Sequence, residues 1–198
     1  MPLAKKKSEE KFTYEDYITW PDDERWEIIE GVPYNMSPAP VIRHQRIVGK
    51  FYNILENSLK NKPCIPFIAP TDVILSEHSI IQPDVFVVCD KSKITEKNIH
   101  GAPNLIVEVL SPSTRLKDRR EKRALYEKHR VKEYIIIDPA EQYVERFYRG
   151  KDGKYMAGDI FEPEETIKLL SLNNMEVVLP EVFEIEVIGK NGGSQESS

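Results

Sequence analysis

The sequence predicts an α/β (α+β) domain in which a mixed β-sheet core is flanked by helices and followed by a C-terminal antiparallel β extension. Three observations predict it. Apolar residues recur at Ile47, Val48, Phe51, Ile54, Leu55 and Leu59, the one-face stripe of an amphipathic helix over 43–60. Three segments rich in Val, Ile or Phe, at 66–75, 84–89 and 104–110, are bounded by Pro, Gly or polar clusters and read as strands. From Gln142 onward four short strand-like runs, separated by Gly150, Gly153 and Pro163, read as an antiparallel meander.

The remaining elements fall around these. Thr13 caps a short helix through about Trp20, which Pro21 ends. Residues 25–29 and 32–36 flank Glu30-Gly31 and read as a hairpin whose glycine supplies the positive φ of a tight turn. After the strand at 104–110, Ser111-Pro112-Ser113-Thr114 supplies capping chemistry for a basic helix reaching about His129, and a strand at 133–137 ends at Asp138-Pro139. These elements form one domain over 12–189, with flexible tails at 1–11 and 190–198 that are too polar to order themselves.

Composition narrows the function classes. The chain has 198 residues, 40% hydrophobic and 31% charged, which suits one globular domain. No run approaches the roughly 20 apolar residues of a membrane span. The first residues, MPLAKKKSEE, have lysines but no apolar segment behind them, so a cytoplasmic location is expected. Cys64 and Cys89 sit in apolar surroundings without a companion Cys or His at ligand spacing, so buried free thiols are expected rather than a disulfide or a zinc site. The net charge of −5 disfavours indiscriminate nucleic-acid binding, yet 115–132 holds nine Lys or Arg against three acids, a local balance of +6.

No Gly-x-Ser-x-Gly elbow, phosphate-binding loop, His-Glu-x-x-His or dinucleotide fingerprint is present. What remains is carboxylate chemistry. Glu108 interrupts the apolar run Leu105-Ile106-Val107-Glu108-Val109-Leu110, which reads as a strand covered on both faces, and a carboxylate there needs a cation, a metal or a cleft beside it. The bland alternative is an edge strand with Glu108 in water. Asp84, after Pro83 at the mouth of the preceding strand, is placed to reach a carboxylate on its neighbour. Two such acids are hard oxygen ligands of the kind magnesium takes, leaving positions for water and a phosphate oxygen. The basic segment, with Arg115, Lys117, Arg119, Arg120 and Lys122, follows directly; its alternative is a solvated face. His44 at the start of the long helix and Glu27 on the hairpin are left open by the residues alone.

At these residues the chain resembles the Uma-two family of restriction-endonuclease-like proteins, part of the PD-(D/E)XK nuclease superfamily. The ordered blocks are Trp26-Glu27-Ile28-Ile29-Glu30-Gly31 with Met36-Ser37-Pro38, then His44-Gln45-Arg46-Ile47-Val48-Gly49, Gln82-Pro83-Asp84, and Val107 through Thr114. Asp118 through Lys122 to Tyr126, with Glu133-Tyr134 and Asp138-Pro139, completes the set. The resemblance implies a restriction-endonuclease-like fold with Asp84 and Glu108 as the acids. The superfamily lysine belongs two residues after the second acid, where this chain has Leu110; the matching lysine is Lys122 on the next helix. Glu27 matches the family's early glutamate, a further metal ligand, and His44 its helix histidine.

The leading expectation is therefore a DNA endonuclease dependent on Mg2+, with Mn2+ as a substitute. Asp84, Glu108, Lys122, Glu27 and His44 would be catalytic, and Asp84, Glu108 and Glu27 would hold the metal. Arg115, Lys117, Arg119 and Arg120 would lie on double-stranded DNA, and the protein would act as a homodimer. The alternatives are a catalytically silent nucleic-acid-binding module of the same fold and, behind it, a glycosidase using paired acids.

Overall fold

The computed structural model describes residues 11–21, 23–36, 41–112 and 114–185. Ser113 and, apart from Lys11, the expected tails lie outside them. In chain order the strands are β1 (Trp26–Ile29), β2 (Val32–Asn35), β3 (Ile65–Ile68), β4 (Val73–Ser76), β5 (Ser79–Ile81), β6 (Val85–Val88), β7 (Ile99–His100), β8 (Leu105–Val109), β9 (Glu133–Asp138), β10 (Tyr143–Tyr148), β11 (Asp159–Phe161), β12 (Thr166–Leu169) and β13 (Met175–Val178). The helices are α1 (Tyr14–Tyr17), α2 (Ile42–Leu59), α3 (Arg115–Lys117), α4 (Arg123–Lys128) and α5 (Leu179–Phe183), and a π-helical turn at Asp118–Lys122 joins α3 to α4.

A six-stranded mixed sheet, in the order β11-β10-β9-β8-β6-β3, forms the centre; β8 and β9 are parallel and the other pairs antiparallel. The pleat divides its side chains between two cores. Val85, Val87, Leu105, Val107, Val109, Ile135 and Ile137 pack with the apolar stripe of α2, with α5 and with the β12–β13 hairpin. Phe86, Val88, Ile106, Tyr134 and Ile136 face the other way, onto α4 and a second sheet ordered β2-β1-β5-β4-β7. β8 is buried on both faces, which is why its sequence runs apolar without alternation.

Local chemistry sets the boundaries. Thr13 closes a capping box with Asp16 at the start of α1. The β1–β2 turn places Glu30 at φ 51° and Gly31 at φ 85°, and a Cβ on Gly31 would lie 2.3 Å from the Lys11 Cβ, so conformation and space both require glycine there.

Several expectations need correction. The single strand expected at 66–75 is two strands in different sheets, because Pro70 has no N–H to continue a ladder. β5 and β7, of three and two residues, are too short to show a period. The expected meander is divided: β10 and β11 extend the central sheet, β12 and β13 pair separately, and 179–183 is helical. The basic helix is interrupted by its π turn.

The cysteines are not free thiols. β3 and β6 pair with Ile65 opposite Val88, which sets Cys64 opposite Cys89, and the two form a disulfide. Chain spacing could not show this, since the pair meets only through tertiary strand pairing. A bridge closing a loop of this length contributes roughly 3–4 kcal/mol in the chain-entropy account. Dithiothreitol is expected to lower the unfolding midpoint measurably in urea; identical curves with and without reductant would show that the bridge adds nothing. Among the described residues no helix is long and apolar enough to cross a membrane.

Candidate active site

The register of the central sheet brings the two predicted acids together. Val85 lies opposite Val107, so Asp84, one residue before β6, arrives beside Glu108 on β8. The Asp84 N–H points at Glu108 Oε2 at 3.4 Å. Asp84 Oδ2 accepts the Val109 N–H at 2.8 Å and lies 3.1 Å from His44 Nε2, which the first turn of α2 carries. Asp84 Oδ1 takes no hydrogen bond from a described residue. His44, whose role the sequence left open, thus lies against the first acid.

Lys122 enters from the opposite face of the sheet. Its ammonium, on a side chain only 3% exposed, is 2.8 Å from Glu108 Oε1 and 2.8 Å from Glu27 Oε1, and 3.8 Å from Asp118 Oδ1. The Tyr126 hydroxyl donates to the same Glu108 oxygen at 2.7 Å. The π turn delivers this set: Asp118 and Lys122 are its first and last residues, both buried, and Tyr126 follows one turn on. π turns often occur where a helix meets a functional site. The Tyr134 hydroxyl anchors the turn by donating to the Asp118 carbonyl at 3.0 Å.

Glu27 is fully buried. Its Oε1 accepts the Gln82 N–H at 3.1 Å as well as Lys122, and its Oε2 accepts from Lys117 Nζ at 2.9 Å. General expectation for a hairpin acid is exposure; β1 instead lies between β2 and β5 in the second sheet, which tucks Glu27 under the helix.

Among the described residues the amines at Glu27, Glu108 and Asp118 are those of Lys117 and Lys122, and Asp84 has the His44 ring. Burial pushes Glu27 up, but Lys122 and Lys117 outweigh it and hold the carboxyl below its usual range. Glu108 carries the excess. Burial, joined by the charges of Asp84, Asp118 and Glu27 and opposed by Lys122, lifts it to about 8. Burial raises Asp118 too, against the pull of Lys122. For Lys122 burial works toward neutrality, and the three carboxylates override it, keeping the ammonium charged.

The basic side chains divide. Lys117 turns inward to Glu27, with its amine 5.3 Å from the Tyr34 ring centroid. Arg115 pairs with Asp138 at 2.8 Å, and Arg119 with Glu145 at 2.7 Å and the Tyr143 hydroxyl. Arg120 is exposed and has no ion pair among the described residues. Sequence reasoning missed Asp118, Tyr126 and Gln82 as parts of the cluster. Asp118, Lys122 and Tyr126 recur every four residues, a polar stripe on one helix face that was available as a signal.

The donor set suits a hard divalent cation in kind. On the two predicted acids, Asp84 Oδ1 and Glu108 Oε2 have no short hydrogen bond from a described residue, and the negative excess is the charge such an ion balances. Among the described residues no three His, Cys, Asp or Glu side chains are arranged to hold a metal by themselves. Glu27, with both oxygens engaged by amines, is not open as it stands.

The family model described as Uma2, putative restriction endonuclease, matches residues 14–180. The chain belongs to the Uma2 family. The chain is similar to the uncharacterized Synechocystis sp. protein slr1290, at 27% identity over 152 residues, covering 74% of this chain and 78% of the relative. A second, sll1609 from the same organism, is 25% identical over 141 residues, covering 69% and 79%. The crystal structure of a putative nuclease belonging to DUF820 from Anabaena variabilis superposes with a TM-score of 0.72 at 21% identity, covering 87% of this chain and 98% of that one. That likeness establishes the shared restriction-endonuclease-like fold.

Proposed function

We propose that this Uma2 protein is a magnesium-dependent endonuclease that hydrolyses phosphodiester bonds in double-stranded DNA, acting in the cytoplasm and as a homodimer. Membership of a family described as putative restriction endonuclease supports the nuclease class. The observation that carries the site is the reach of Lys122. Although displaced from the superfamily position, its ammonium lies 2.8 Å from the second acid. A helix packed on the sheet thus restores the acid–lysine pair that the local sequence lacks.

Asp84 and Glu108 would hold the ion, with manganese as a substitute. When bound, magnesium supplies a more acidic water and charge balance at the phosphoryl oxygens. His44 fixes the Asp84 rotamer through Oδ2, leaving Oδ1 for the ion. Lys122 stays protonated and donates toward the attacking oxygen, while Tyr126 and Glu27 hold Lys122 and Glu108 in place. Glu27 thereby serves as a lysine clamp rather than the third ligand the resemblance suggested. Arg120, and Arg115 and Arg119 after exchange of their carboxylate partners for phosphates, give the basic face that would meet DNA.

The test is calorimetric titration of magnesium into the intact protein and Asp84→Ala, with circular dichroism as the fold check and plasmid cleavage alongside. Metal binding and cleavage are expected in the intact protein, and both are expected to be lost in the variant without loss of fold. Salt-sensitive DNA binding that survives chelator, with no cleavage under magnesium or manganese, would replace this reading with the non-catalytic module.

A further inference from the structure

Beside the acid–lysine cluster lies a recess of about 300 Å³ that the proposed hydrolysis does not use, walled by Phe67, Pro70, Asp72, Gln82 and Asn98 among others. Two links tie it to the site. Gln82, whose side chain lines the recess, donates its backbone N–H to Glu27 Oε1. Ala69, next to Pro70, donates its N–H to the Asp84 carbonyl at 3.1 Å. Gln82 precedes Asp84 by two residues, and an extended chain advances at most about 3.6 Å per residue. The recess is therefore within reach of the base of a nucleotide whose phosphate is held at Asp84.

Its walls combine an aromatic plane with a fixed acceptor. Phe67 stacks on Phe86, centroids 5.3 Å apart and planes 13° from parallel, so protein covers one ring face while the half-buried ring still lines the recess. Asp72 Oδ1 accepts from the Tyr17 hydroxyl at 2.9 Å and from Gln82 Nε2 at 2.9 Å, which pins the carboxylate. Arg25 holds the other end of that Gln82 amide. Asp72 Oδ2 takes no hydrogen bond from a described residue. A pinned carboxylate beside an aromatic ring selects a planar ligand that carries a donor. Among nucleobases cytosine, adenine and guanine offer exocyclic amines, whereas thymine's one base N–H donor, at N3, lies between two carbonyl oxygens that the carboxylate repels.

We propose that the recess is a nucleobase subsite, stacking an unpaired base of the substrate strand on Phe67 and reading its exocyclic amino group at Asp72. Its place in the reaction rests on the nuclease reading; its ligand chemistry does not. A base enters such a recess only when unstacked from its duplex, so the subsite would select bases next to the cut at opened or single-stranded positions.

The experiment titrates dCMP, dAMP, dGMP and dTMP separately into the full-length protein, Asp84→Asn, Asp72→Asn and Phe67→Leu, each checked for fold. The three amino-bearing nucleotides are expected to bind about tenfold more tightly than dTMP, the worth of one charge-assisted hydrogen bond. Asp72→Asn is expected to abolish that ranking, and Phe67→Leu to weaken all four. Equal binding of the four, no binding of any, or a ranking unchanged in Asp72→Asn would overturn the subsite. Should Asp72→Asn not fold, undiminished binding in Phe67→Leu overturns it. Ranked binding retained in Asp84→Asn, with no cleavage by the intact protein, would leave the subsite standing and remove the nuclease; cleavage without ranked binding would do the reverse.

Discussion

Lys122→Met is expected to abolish cleavage and to destabilise the fold by roughly 3–5 kcal/mol, the usual consequence of removing one partner from a buried charge pair. The size follows from what is left behind. Glu108, Glu27 and Asp118 converge on this one ammonium inside the protein, and methionine fills the volume while leaving Glu108 and Asp118 without it and Glu27 with Lys117 alone. The loss is also expected to depend on pH. Burial already pushes Glu108 and Asp118 upward, and without Lys122 they rise further, so acidification lets them take up protons in place of the missing ammonium. Urea unfolding of the variant and the intact protein at pH 6 and pH 8 measures this, with the larger deficit expected at pH 8. A deficit below about 1 kcal/mol at pH 8 would mean that water reaches the cluster and that Lys122 is not its charge partner.

How much of this cluster was legible in the sequence differs residue by residue. Glu108 could be found because a carboxylate in an apolar strand contradicts its surroundings, and Asp84 because strand order and Pro83 place it at the neighbouring mouth. Lys122 needed the family resemblance: fourteen residues separate it from Glu108, and nothing in its charged neighbourhood marks it as the lysine that turns inward. Glu27 was visible only as a family match, since its burial depends on β1 pairing with β5, a contact across more than fifty residues. The same limit hid the Cys64–Cys89 bridge. The central strands were legible as short apolar runs bounded by Pro and polar residues, and α2 by its helical period. The division of 66–75 between two sheets was not, because both strands are apolar and the sheet each joins is set by tertiary pairing.

Glu108→Gln should separate function from stability in the opposite sense to Lys122→Met. The amide oxygen can still accept from Lys122 and Tyr126, but it brings no charge to a divalent ion, so a loss of metal binding and at least a 10²-fold loss of cleavage are expected on the order of an electrostatic catalytic group. The sign of the stability effect follows from proton linkage. The Glu108 carboxyl is raised from 4.5 to about 8, so between those values the folded state holds a proton that the unfolded state has released. Stability from this group is therefore full below about pH 4.5 and declines as pH rises toward 8. Glutamine resembles the protonated acid at every pH. The variant is expected to match or exceed the intact protein in urea at pH 9 and to show a flatter decline between pH 5 and 8. Magnesium binding to the intact protein should correspondingly release a proton below pH 8, seen as a calorimetric heat that changes with the ionisation enthalpy of the buffer. A variant that is less stable than the intact protein at pH 9 would mean that the ionised carboxylate stabilises the site, and that the excess negative charge belongs to another of the four acids.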